Sequence, residues 1–93
     1  MKKYIYAISI VASKNGNLNN QISNGIGTIE AIVGWITKIS YDERFVSNIN
    51  LINCNIQELG NSDNTYEFNR QYPRGNLDEC LDYLVLDIQS DVS

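Results

Sequence analysis

The segment Thr28–Ser40, TIEAIVGWITKIS, decides the fold. Its apolar residues Ile29, Ile32, Val33, Ile36 and Ile39 recur at the spacing that lines one face of a helix, which buries a stripe and wets the rest. Thr28 suits an N-cap, because its hydroxyl can accept from one of the unpaired first N–H groups. Glu30 in the first turn and Lys38 in the last both complement the helix dipole. Trp35 lies at the edge of the stripe and is placed to anchor whatever covers the helix. A helix with one apolar face needs a surface to lie on, so the rest of the chain is read for a sheet.

Upstream, Tyr4 to Val11 reads as a strand, with Ile5, Ala7 and Val11 on one face and Tyr4, Tyr6, Ile8 and Ile10 on the other. Apolar residues on both faces place it inside the sheet. Asn15-Gly16 suits a type I′ turn, whose central residues need positive φ. A short edge strand over Leu18 to Ser23 would then fold back on the first. Gly25-Ile26-Gly27-Thr28 follows as a turn into the helix.

Downstream, Tyr41 to Phe45 closes a turn and Val46 to Leu59 becomes strand-like. Ile49 and Leu51 keep one phase and Ile52, Cys54 and Ile56 the opposite one, a slip that a β-bulge near Leu51-Ile52 would produce. Asn50, Asn53, Asn55 and Gln57 would face solvent or a partner. Gly60 to Asn64 is a loop by composition, and Thr65 to Tyr72 alternates Tyr66, Phe68 and Tyr72 against Glu67, Asn69 and Gln71, completing a hairpin. Pro73-Arg74-Gly75 breaks the chain. Asn76 then caps a helix from Leu77 to near Gln89, with Leu77, Cys80, Leu81, Leu84 and Ile88 at helical spacing. Tyr83 to Gln89 also alternates as a strand would; the helix is preferred. The tail Asp91-Val92-Ser93 is expected to fray.

The expected architecture is therefore a single α+β domain over residues 1–93. A small antiparallel or mixed sheet of three to four strands packs against the central helix and a C-terminal helix on the same face. Ile8, Ile10, Ile32, Val33, Ile36, Ile52, Ile56, Leu81 and Leu84 are the expected core.

Composition narrows the function classes. A hydrophobic share of 43% with 19% charged residues belongs to a folded domain. A formal charge of −4 argues against a protein built to track a phosphate backbone. The chain has no histidine, which removes Ser-His and Cys-His nucleophiles, the commonest zinc ligand and the usual base near neutral pH. Cys54 and Cys80 form no metal-binding spacing and read as reduced, partly buried thiols of a cytoplasmic protein. No apolar run reaches the ~18 residues that a membrane helix requires. The opening MKKYIYAISIVAS has the outline of a signal peptide, but its tyrosines and alternation favour a strand.

No catalytic, cofactor or metal residues are nominated. Gly25-Ile26-Gly27-Thr28 lacks the third glycine of a dinucleotide fingerprint, since Glu30 stands there, and no Walker lysine follows. The acids Asp42/Glu43, Asp78/Glu79/Asp82 and Asp87/Asp91 read as helix-terminal or solvated groups rather than an acid/base pair. Tyr66, Phe68 and Tyr72 offer either a stacking platform for bases or, preferably, a core face.

AISIVASKNG is similar to the first strand and loop of dihydrofolate reductases, over about a tenth of the chain. The Pro-Trp pair of that family is missing, and the chain is too short for its fold. In general character the sequence resembles small α+β proteins encoded by phages and mobile elements. That resemblance implies a non-catalytic protein that inhibits a host defence or regulatory protein by contact. The expected partner surface is acidic: Tyr72, Asp78, Glu79, Asp82 and Asp87. Self-association or strand addition at an unpaired edge is a second route to a protein partner. A nucleic-acid or nucleotide-binding module is the alternative, and a small carboxylate-based enzyme the third.

Overall fold

The computed structural model describes residues 1–14, 16–39 and 48–92, without the side chains of 14, 48 and 73–78. Six elements follow in order: β1 (Tyr4–Lys14), β2 (Asn17–Gly27), α1 (Ile29–Ile39), β3 (Asn48–Glu58), β4 (Thr65–Asn76) and α2 (Leu77–Asp91). The sheet order is β2-β1-β3-β4, and every neighbouring pair is antiparallel. The fold is α+β with four strands and two helices, as the periodicities predict. β2 and β3 flank β1 and run parallel to each other, so α1 is the crossover between them. Tyr41 to Phe45 and the Asp42/Glu43 pair lie outside the described residues, as does Asn15; Gly16 has φ of 82°, the positive value a tight hairpin turn demands.

One face of the sheet is covered and the other is open. Tyr4, Tyr6, Ile8, Ile10 and Ala12 of β1 are buried beneath the helices, together with Ile49, Ile52, Cys54 and Ile56 of β3 and Phe68 of β4. Ile32, Ile36 and Ile39 descend onto them from α1, and Cys80, Leu81, Leu84 and Ile88 from α2, with Val92 just beyond its end. Each fully buried isoleucine contributes ~1.5–3 kcal/mol. Of the expected core only Val33 is partly buried. The odd face of β1 is uncovered, and Ile5 is exposed there. β1 is interior to the sheet because of its two neighbours, not because both faces are packed.

α1 starts where its sequence says. Thr28 Oγ1 accepts from Ala31 N–H at 3.2 Å, and Thr28 O accepts from Ile32 N–H at 3.0 Å. Trp35 stacks on Tyr6, with ring centroids 5.5 Å apart and an interplanar angle of 27°.

Four expectations need correction. β2 runs eleven residues rather than six, so Gly25, Ile26 and Gly27 are strand rather than turn. The glycines serve packing: a Cβ at Gly27 would meet Trp35 Cη2 at 2.9 Å, and one at Gly25 would meet Tyr6 Cε1 at 3.3 Å. Pro73-Arg74-Gly75 does not end β4, which continues to Asn76; an edge strand tolerates a missing N–H where the ladder is already irregular. The irregularity lies between Ile49 and Leu51, so Asn50 is the extra residue and Ile49 shares the core face with Ile52. Finally, residues 83–89 are helical as preferred, but the helix runs on to Asp91 rather than ending near Gln89. Val92 is buried and its N–H bonds Ile88 O at 2.9 Å, so it does not fray.

Candidate functional site

α2 has two faces of opposite character. Cys80, Leu81, Leu84 and Ile88 anchor it to the sheet, while Glu79, Asp82, Tyr83, Leu86 and Ser90 return at helical spacing on the far side, all exposed. Tyr83 is 59% and Leu86 60% accessible, so a large aromatic and a large aliphatic residue stand out of an otherwise polar face. Their neighbours are acids: Leu77–Asp91 holds Asp78, Glu79, Asp82, Asp87 and Asp91 and no lysine or arginine. The remaining residues of the chain carry six acids against seven bases, so the excess negative charge resides on this helix alone.

Against the site residues expected from sequence, the structure divides them. Glu79 and Asp82 lie on the outward face. Asp87 turns back toward the sheet, where its Oδ2 accepts from Arg70 Nη2 at 2.8 Å; both groups are about half exposed, and such a pair contributes under ~1 kcal/mol. Tyr72 is partly buried, its hydroxyl near the Cys80 thiol. Burial raises the Tyr72 hydroxyl, with Cys80 adding to the effect, and burial also raises Cys80, against a lowering by the neighbouring Tyr72 hydroxyl. Tyr72 thus packs against the core where β4 meets α2. Asp78 is in the first turn, its side chain outside the described residues. Sequence reading missed Tyr83 and Leu86, although both fall off the stripe that buries Cys80, Leu81, Leu84 and Ile88. An apolar residue out of phase with the buried stripe was the available signal.

The other sites weighed from sequence are differently arranged. Phe68 is buried and Tyr66 and Tyr72 pack against the core, so the aromatic face of β4 lies under α2 and presents no stacking platform. At the start of α1, the Thr28 hydroxyl occupies the Ala31 N–H and the two glycines of β2 abut Trp35. A groove of about 470 Å³ remains beside them, lined by Tyr6, Ser23, Asn24, Gly25, Ile26, Trp35 and Lys38. It is open, and the Tyr6 hydroxyl and Ser23 hydroxyl bond each other at 2.7 Å across its floor. Cys54 and Cys80 are both free thiols, and burial pushes Cys54 up to about 12, far from a nucleophile's range. Among the described residues no three acids or thiols gather as metal ligands, and no helix is long and apolar enough to cross a membrane.

Comparison with protein-family models, with curated proteins and with solved structures finds no match to this chain.

Proposed function

We propose that this is a non-catalytic protein that binds, and inhibits, a protein partner through the outward face of α2. The observation that supports the reading is the exposure of Tyr83 and Leu86 within a helix that holds the whole excess of negative charge. Exposed aromatic and aliphatic anchors ringed by charge match the anatomy of a binding surface, where a few apolar residues carry the energy and a polar rim sets specificity. The complementary partner carries a basic surface with an apolar socket. Glu79 and Asp82 would steer its approach, an effect that weakens as salt shortens the range of the field. The general likeness to small phage and mobile-element proteins makes a host defence or regulatory protein the expected target.

The experiment is affinity capture from the native host's lysate with nuclease present, using the wild type and the double variant Tyr83→Ser/Leu86→Ser. Both positions are exposed, so the variant keeps its fold by circular dichroism. The expected result is one stoichiometric protein that the wild type retains and the variant loses, with retention weakening as salt rises. Capture that is equal for both proteins, or that disappears with nuclease, refutes the reading.

A further inference from the structure

β2 and β4 are the two edges of the sheet, and they are protected very differently. β4 carries Glu67, Arg70, Pro73 and Arg74 along its length and an irregular register against β3, the usual devices that stop a further strand from adding. β2, Asn17–Gly27, has none of them. Its eleven residues NLNNQISNGIG include no charge and no proline, and its pairing with β1 runs from Lys14↔Asn17 to Tyr4↔Gly27 without a bulge.

The free side of β2 has a defined pattern. A two-residue connection closes on a hydrogen-bonded pair, here Lys14↔Asn17, so the odd-numbered residues of β2 bond β1. The even-numbered residues Leu18, Asn20, Ile22, Asn24 and Ile26 turn their N–H and C=O groups to the open edge. The same five side chains lie on the uncovered face of the sheet, with Leu18 71%, Ile22 67% and Ile26 57% exposed. Read from Ile22 outward the order is symmetrical: an amide two residues away on each side, then an aliphatic residue two further on.

We infer that β2 pairs antiparallel with β2 of a second copy about a two-fold axis at Ile22, joining two four-stranded sheets into one of eight. In that register Ile22 opposes its own copy, Asn20 opposes Asn24, and Leu18 opposes Ile26. Every pair is aliphatic on aliphatic or amide on amide, and every one is hydrogen-bonded, giving about ten backbone bonds across the axis. A two-fold contact must be self-complementary, and this sequence is. The charge distribution favours the same occupant: two acidic protomers meet along a segment of the chain that bears no charge, with α2 on the other half of the sheet. This contact is separate from the α2 face, and either can fail without the other.

The test is the solution mass of the purified chain, with cysteines placed to read the register. The wild type is expected at twice the 10.5 kDa protomer mass. Ile22→Lys, which sets two ammonium groups face to face at the axis on an exposed position, is expected to halve that mass while leaving circular dichroism unchanged. Under mild oxidation Ile22→Cys should form a covalent dimer, since paired strands bring the Cα atoms to ~5.5 Å, within disulfide range. Leu18→Cys alone should not, whereas Leu18→Cys/Ile26→Cys should. Native Cys54 and Cys80 are buried and do not compete. A monomeric wild type at concentrations of hundreds of micromolar overturns the inference. So does a dimer that survives Ile22→Lys, or Leu18→Cys linking to its own copy.

Discussion

Substituting Gly27 by alanine adds one methyl group at the tightest contact between β2 and α1. The new Cβ would lie 2.9 Å from Trp35 Cη2, inside the closest approach that carbon atoms tolerate, with tight contacts of 3.3 Å to Cζ3 and 3.4 Å to Ala31 Cβ. The indole is held in place by its stacking on Tyr6, with ring centroids 5.5 Å apart, so moving away from the new methyl group sacrifices that contact. Overpacking of this kind costs ~1–3 kcal/mol, and the loss of glycine's freedom in the unfolded chain offsets ~0.4–1 kcal/mol of that. A net loss of ~1–2 kcal/mol is expected, lowering the melting temperature by roughly 5–15 °C for a domain of this size. Urea unfolding followed by circular dichroism measures it, with the emission of the single tryptophan as a second probe. The decisive comparison is made in a Trp35→Phe background, which removes the outer ring that carries Cη2 and Cζ3. There the clash is gone, and Gly27→Ala should become neutral or stabilising, a coupling of at least ~1 kcal/mol. If Gly27→Ala is neutral with Trp35 in place, the glycine is not there for the indole and the packing argument fails.

Four further outcomes follow from the same contacts. Ile36→Ala, at a fully buried position under α1, should cost ~2–5 kcal/mol in the same urea assay, whereas Val33→Ala, only partly buried, should cost clearly less. Thr28→Ala removes the acceptor of the Ala31 N–H and should cost ~0.5–2 kcal/mol, with Thr28→Ser recovering most of it. Asp87→Asn breaks a half-exposed pair with Arg70 and should change stability by less than ~1 kcal/mol, the difference vanishing at high salt. Cys54 is raised in the fold from 9.0 to about 12, so its contribution is intact below pH 9. As the pH rises toward 12 the unfolded chain ionises first, and stability should fall by ~1.4 kcal/mol per pH unit. Cys54→Ala should show a shallower slope over that window in alkaline denaturant titrations.

The parts of this fold that were legible in sequence are those where side-chain type follows the period of the backbone. α1 was legible because isoleucines mark every turn of its buried stripe, and β1 and β3 because Ile8, Ile10, Ile52 and Ile56 alternate. What was not legible lay where the residue type and the backbone state part company. The far half of β2 is built from Asn, Gly and Ser, which spell a turn unless a tryptophan happens to need the glycines' missing Cβ atoms. Pro73 reads as a break because sequence does not reveal that β4 is an edge. The bulge was visible as a slip in phase, but polar Asn50 hid which residue was the extra one. At α2 the acids were plain. Whether each faces outward depends on partners far along the chain, as where Arg70 draws in Asp87. Tyr83 and Leu86 needed only the phase of the helix, and they are the residues on which the proposed contact turns.

The most direct test of that contact is site-specific photocrosslinking in the native host, with the reactive side chain placed at position 83, at 86 or, for comparison, at 22. A single partner protein is expected to be linked from positions 83 and 86, the bond falling in a segment rich in lysine and arginine, while position 22 links only to a second copy of this chain. Partner crosslinks from 22 but not from 83 or 86, or links from 83 and 86 into an acidic or uncharged segment, would contradict that expectation.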